Sequence, residues 1–258
     1  MHLLPINELA LTLALGAGLG FFGGLFGIGG GIIAIPLLVL GFGMEQPLAQ
    51  GTALVLMVPN LLLGWWRYSQ RHPIVWRQAL TIGLSATLTT WLIAHLATRL
   101  DPQWLRALFS GFLLLLALRL LHPGRRKATA DDRALKLRVL PLVGAVGGGS
   151  MGLLGIGGGL VATPLLSGWL GQRQTVAQSL ALALVAPSSV VALATYAGAH
   201  RVDWALGLPL ALGGLFTVSA GVALAHRLPE ARMRTAFGWM LLATAGWLLL
   251  APLLMPKL

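Results

Sequence analysis

One twelve-residue stretch occurs twice in this chain, and everything else must be organised around the pair. Leu25-Phe26-Gly27-Ile28-Gly29-Gly30-Gly31-Ile32-Ile33-Ala34-Ile35-Pro36 returns 128 positions later as Leu153-Leu154-Gly155-Ile156-Gly157-Gly158-Gly159-Leu160-Val161-Ala162-Thr163-Pro164, with eight of twelve positions identical. Each glycine inside a helix costs roughly 1 kcal/mol against alanine. The triplets Gly29, Gly30, Gly31 and Gly157, Gly158, Gly159 are therefore helix breaks, and they offer backbone that a neighbour can approach closely. The correspondence continues without a gap: Gln46 with Gln174, Gln50 with Gln178, Pro59 with Pro187, Tyr68 with Tyr196, His72 with His200 and Trp76 with Trp204. This is internal duplication.

The medium follows from what surrounds the breaks. The chain is 57% hydrophobic and only 10% charged, whereas a soluble domain needs about 25% charged residues to cover its surface. Residues 9–27 are long enough to cross a hydrocarbon core of about 30 Å. Residues 32–44 are too short, and read as a half-helix or the return arm of a re-entrant hairpin. Further apolar runs cover 48–66, 79–98 and 104–121, and the second half repeats the plan at 139–155, 160–171, 175–198, 205–225 and 236–254. The expected fold is all-α and polytopic, with a first repeat at 1–121, a basic linker at 122–138 and a second repeat at 139–258. Gly16, Gly18, Gly20 and Gly24 place small residues on one helical face, a pattern for close helix packing. His2 alone precedes Glu8, too little basic charge for a cleavable signal peptide.

The net charge of +11 does not point to nucleic acid, because the basic residues flank apolar runs, where they set topology. If each glycine-broken pair returns the chain to its starting side, fourteen basic residues share one face: Arg67, Arg71, Arg77, Arg119, Arg125, Arg126, Lys127, Arg133, Lys136, Arg138, Arg173, Arg227, Arg232 and Arg234. Only Arg99, Arg106, Arg201 and Lys257 lie opposite. Counting each pair as one crossing gives a weaker split, so the first arrangement is expected. Each half then crosses an odd number of times, the halves are inverted, and both termini lie outside the cytoplasm. Inverted repeats with broken helices at the midplane are a transporter signature.

A helix that starts at such a break presents unpaired N–H groups and the positive end of its dipole. Two of them, from inverted halves, make an anion site without a fixed cation. Gln50 and Gln178, about one turn into the following helices, are candidate hydrogen-bond donors. So are Asn60, Ser188 and Ser189 beside the helix-kinking Pro59 and Pro187. The competing reading is that the glycines serve packing and the polar groups satisfy their own kinked helices. Thr52, Thr87, Thr89, Thr90 and Thr195 read as ordinary helix hydroxyls, His95 as interfacial, and Tyr68, Tyr196, Trp76 and Trp204 as members of an interfacial aromatic belt. No Asp or Glu lies within an apolar run, which argues against coupling through a buried carboxylate. The chain has no cysteine, no metal-ligand cluster, no nucleotide loop and no nucleophile–base set. Neither an enzyme nor a cofactor or metal protein is expected. The expected partners are a small anion and the lipid bilayer, with a homodimer open to it and no nucleic acid.

Two copies of Gly-x-x-x-x-x-x-Gly-x-Gly-Gly-Gly-x-x-x-x-Pro, from Gly20 to Pro36 and from Gly148 to Pro164, resemble the sulfite exporter TauE/SafE family over nearly the whole chain. The resemblance implies a multi-pass inner-membrane permease for sulfite, organosulfonates or other small organic acids, with an anion channel as the rival reading. Asn60 stands where the second half has Ser188, so a site lined by these residues is asymmetric.

Overall fold

The computed structural model describes residues 6–26, 30–71, 75–122, 137–156, 158–172, 174–225 and 230–254. These form α1 (Ile6–Phe26), α2 (Gly31–Gly41), α3 (Gln46–Arg71), α4 (Trp76–Ala97), α5 (Pro102–Leu121), α6 (Leu140–Leu154), α7 (Gly159–Pro164), α8 (Gln174–Gly198), α9 (Trp204–Ala225) and α10 (Glu230–Leu254). Six helices are long and apolar enough to cross a membrane, and no strand occurs among the described residues. The chain is thus a polytopic all-α membrane protein. Most of the basic linker, including Arg125, Arg126, Lys127, Arg133 and Lys136, lies outside the described residues, as do Gly29 and Gly157.

Local signals set the ends of the elements. Pro102 begins α5, and Asp101 caps it by accepting from the Gln103 N–H at 2.7 Å, which satisfies one of the free donors of the first turn. Gly155 stops α6 in the left-handed conformation, at φ 63, where glycine carries no Cβ penalty. Gly30 opens α2 at φ 86. Beyond Pro164 the helix widens into a five-residue π turn, Leu165–Trp169.

Both breaks reverse the chain. A Cβ on Gly30 would lie 3.1 Å from the Leu19 carbonyl oxygen of α1, and one on Gly158 would overlap the Gly147 backbone of α6. The start of each short helix has therefore folded back beside its predecessor. Ala162 of α7 and Leu166 beyond it share a buried cluster with Leu140 and Val143 from the far end of α6. The chain doubles back here, as the re-entrant alternative expected.

The duplication reappears element by element, for α4 and α9 have bounds 128 residues apart at both ends. Yet the halves do not form separate bodies. α1 packs along α9, and α6 packs along α4. A Cβ on Gly16, Gly20 or Gly24 would run into the α9 backbone at Leu210, Gly214 and Val218, and Gly144, Gly148 and Gly152 meet α4 at Ile82, Ala86 and Thr90 in the same way. Gly18, the fourth member of the stripe, has open space around it. Thr90 is no ordinary helix hydroxyl, since it donates across this interface to the Gly148 carbonyl at 2.9 Å.

The equivalent helices α3 and α8 run antiparallel through the centre: Leu54 clusters with Ala192 and Tyr196, and Leu61 with Leu180 and Leu184. They are the most enclosed spans, 61% buried against 28% for α4 and α5. α5 pairs with α10, where the Arg106 Nε–H donates to the Leu248 carbonyl at 3.1 Å. The repeats therefore interleave, α1 with α9 and α4 with α6, with α3 and α8 packed on each other at the centre.

Candidate functional site

The two glycine breaks dock on equivalent positions of the central helices. A Cβ on Gly31 would collide with the Met57 sulfur of α3, and one on Gly159 would touch Val185 of α8 at 3.4 Å. Met57 and Val185 are 128 residues apart. The duplicated prolines follow within a turn, and a proline removes an N–H and frees the carbonyl four residues earlier. At Pro187 that carbonyl belongs to Ala183, and Gly83 of α4 lies over it, its Cβ position 3.2 Å from the oxygen.

Asn60 follows Pro59 and is 8% exposed, and neither its Nδ2 nor its Oδ1 has a partner among the described residues. Leaving a buried polar group unpaired costs about 1–3 kcal/mol, so an orphaned carboxamide at the core of a membrane protein calls for a ligand. Trp65 Nε1 and Ser179 Oγ share this lack of a partner. In α2 the N–H groups of Ile33 and Ala34 both return to the Gly30 carbonyl, whereas the preceding ones have no intrahelical acceptor.

The second half answers differently. Ser188 and Ser189 are fully buried, and their hydroxyls donate to their own helix, to the Leu184 carbonyl at 2.6 Å and the Ala186 carbonyl at 2.8 Å. They behave as the competing reading of kinked-helix hydroxyls describes. α7 has only six regular residues before the π turn, which leaves it a weaker dipole than α2. The duplicated frame is therefore polar on one side only: Asn60 is unpaired where Ser188 is satisfied by its own helix.

Gln50 and Gln178 also part company. Gln50 is fully buried against Gly155, and its Oε1 accepts from the Tyr196 hydroxyl at 2.8 Å, while its Nε2 has no partner. Gln178 is exposed and is not brought to this group. Gln46, one turn before Gln50, is buried with both side-chain polar atoms unpaired.

Tyr196 is the residue that the sequence reading misplaced. It is fully buried rather than interfacial, and its hydroxyl also lies 3.1 Å from the Gly152 carbonyl of α6. Trp76 and Trp204 do sit on the exterior, 66% and 42% exposed, while the side chain of Tyr68 lies outside the described residues. Tyr196 was expected at the surface because it closes a helix, but its partners come from α3 and α6, far away in sequence. The repeated Gln-to-Tyr spacing was the available signal. Thr52 was missed in the same way: its hydroxyl oxygen accepts from the Asp203 N–H at 3.0 Å, beyond its own helix.

No Asp, Glu, Lys or Arg among the described residues is buried. Among the described residues no cluster of His, Cys, Asp and Glu could hold a metal ion.

Comparison with known proteins agrees with this architecture. A family model described as sulfite exporter TauE/SafE matches residues 12–248. A probable membrane transporter protein of Xylella fastidiosa is 28% identical over 250 residues, covering 94% of this chain and 95% of the relative. One from Haemophilus influenzae is 25% identical over 258 residues, covering 91% and 96%. One from Methanocaldococcus jannaschii is 32% identical over 165 residues, covering 62% and 61%.

Proposed function

The chain belongs to the sulfite exporter TauE/SafE family, and from that premise we propose that this membrane transporter exports a small sulfur oxyanion or organosulfonate across the bacterial inner membrane. The observation that carries the reading is Asn60, a buried carboxamide with no partner among the described residues, one turn from the residue on which the α2 break docks. Neutral donors and a helix start suit a transported anion, because binding must be weak enough for release. A buried arginine would hold the ion and be costly in the membrane. Asn60 and the Gly29–Gly31 break form the donor side, while Gln50, ten residues and about 15 Å away along α3, lies beyond the reach of the same small anion. Gly157–Gly159, Ser188 and Ser189 are the opposite wall, whose hydroxyls must leave their helix carbonyls to donate.

The mechanism is alternating access by inverted repeats. The antiparallel run of α3 against α8 supports inversion, since equivalent spans in opposite directions require a two-fold axis in the membrane plane. In this reading the moving bodies are a unit of α1, α2, α3 and α9 and a unit of α4, α6, α7 and α8, not the sequence halves, because the glycine seams of α1 on α9 and α4 on α6 leave no room for sliding. Both termini then face the periplasm. The membrane potential provides the drive, as one anion leaving an inside-negative cell gains about 2.3 kcal/mol per 100 mV.

The test is thermal stabilisation of the detergent-solubilised protein by sulfite, sulfoacetate, thiosulfate, sulfate and lactate. A ligand at 100 times its Kd adds about 2.7 kcal/mol, and the shift is expected for one sulfur anion and to vanish in Asn60→Leu. A shift that survives Asn60→Leu would place the site elsewhere, and a response to lactate alone would replace the substrate class.

A further inference from the structure

We propose that Tyr196, Gln50 and Gly152 form a gate, closed in this structure at the end of the molecule that carries the α8–α9 loop. The proposal rests on the alternating-access reading above and identifies the contact that switches. Gln50 belongs to the unit containing α3, whereas Tyr196 and Gly152 belong to the unit containing α6 and α8. The Tyr196 hydroxyl, 2.8 Å from Gln50 Oε1 and 3.1 Å from the Gly152 carbonyl, is thus the buried polar tie between the two bodies at this end.

Its surroundings are sealed. A Cβ on Gly155 would stand 3.2 Å from the Gln50 Cβ, and one on Gly51 would collide with the Arg201 carbonyl. Outside the tie, Arg201 Nη1 pairs with Glu45 Oε2 at 2.9 Å. The opposite end differs at equivalent positions: Gln178 is exposed where Gln50 is buried, and Val176 is exposed where Leu48 is half-buried. α6 leans on α8, while the equivalent pair α1 and α3 shows no comparable packing among the described residues. The two ends therefore differ at equivalent positions of α3 and α8.

The tie is built to break. One hydroxyl proton serves two acceptors, and Gln50 Nε2 is left without a partner, an arrangement too incomplete for a permanent brace. The sequence repeats the same three residue types at the same spacing, with Gly24, Tyr68 and Gln178 matching Gly152, Tyr196 and Gln50. When the first tie opens, the duplicate supplies its counterpart at the other end.

The natural absence of cysteine makes the test direct. Single thiols are introduced as Gln46→Cys, on the sealed face one turn from Gln50, and Gln178→Cys. Each is labelled with a membrane-impermeant maleimide in right-side-out and inside-out vesicles. Gln178→Cys should react from the cytoplasmic side, and Gln46→Cys should react slowly and only from the periplasmic side. Tyr196→Phe keeps the ring and removes a bond of about 1 kcal/mol, so Gln46→Cys labelling should rise about five-fold and Gln178→Cys labelling should fall. If Tyr196→Phe does not fold, Gln50→Met removes the acceptor at similar volume, with the same rise expected. Labelling from opposite faces that neither variant alters would overturn the gate and leave alternating access standing. Labelling of both thiols from one face would overturn the inverted reading and the gate with it.

Discussion

Two ends of one duplicated scaffold are packed differently. At one, Gln50 is buried under Tyr196 and Gly155; at the other, its counterpart Gln178 is exposed. Near the middle, Asn60 is an orphan while its counterpart Ser188 is satisfied by its own helix. The first difference lies among neighbours that only partly repeat, since Glu45, Gly51 and Arg201 correspond to Arg173, Ser179 and Pro73. The second is one of chemistry, since the two residues themselves differ. In the proposed alternating-access reading, the repeated frame exchanges its ends and the asymmetric lining fixes what it carries.

Substitutions at equivalent positions sharpen this contrast. The largest effect belongs to the second glycine break. Gly158→Ala drives a Cβ into the Gly147 backbone and should cost about 3 kcal/mol or more, the upper range for overpacking. Gly159→Ala meets only ordinary contacts at 3.4 and 3.8 Å and should cost under about 1 kcal/mol. Thermal melts in detergent compare them, and equal losses would break the view that Gly158 is held by packing and Gly159 left for a ligand.

Next comes the lining. Asn60→Leu removes an unpaired buried amide, so the ligand-free protein should gain about 1–2 kcal/mol while losing its response to ligand. Ser188→Ala gives up a back-bonded hydroxyl and should stay within about 1 kcal/mol of the parent. Destabilisation by Asn60→Leu would mean that the amide has a structural partner and would cancel the contrast.

At the ends, Gln50→Leu should destabilise by about 1 kcal/mol through loss of the Tyr196 bond, and Gln178→Leu by less than about 0.5 kcal/mol. Denaturation midpoints of the two variants test that the ends differ. The smallest effect is that of Glu45→Gln. Its ion pair with Arg201 is 59% and 35% exposed on the two sides, so the loss should stay below about 1 kcal/mol and shrink as salt is raised.

Much of the fold was legible before any coordinates. Apolar run length and the positions of glycine and proline mark the helices, because both act within a few residues of where they stand. The end of α6 at Leu154 and the return from Gly159 follow from the Gly-Ile-Gly-Gly-Gly run. The roles of Gly16, Gly20 and Gly24 followed from spacing, and Gly18 failed because spacing names a face without naming its neighbour. The candidate site was legible as a set of residue types, and less so as a geometry. Asn60, Ser188 and Ser189 all stood out as polar groups beside a proline, but which of them already had a partner depended on rotamers.

The sequence by itself determined a two-fold repeated, charge-poor, all-helical chain with a break at the same place in each repeat. Only the tertiary structure decided that α1 belongs to α9 and α4 to α6, that Tyr196 reaches Gln50 across 146 positions, and that Gln50 is buried where Gln178 is exposed. Hydropathy and helix-breaking are local properties, readable residue by residue. Partnership is set by how whole helices dock, and a duplicated sequence offers each docking twice, so only the folded state selects which copy is made.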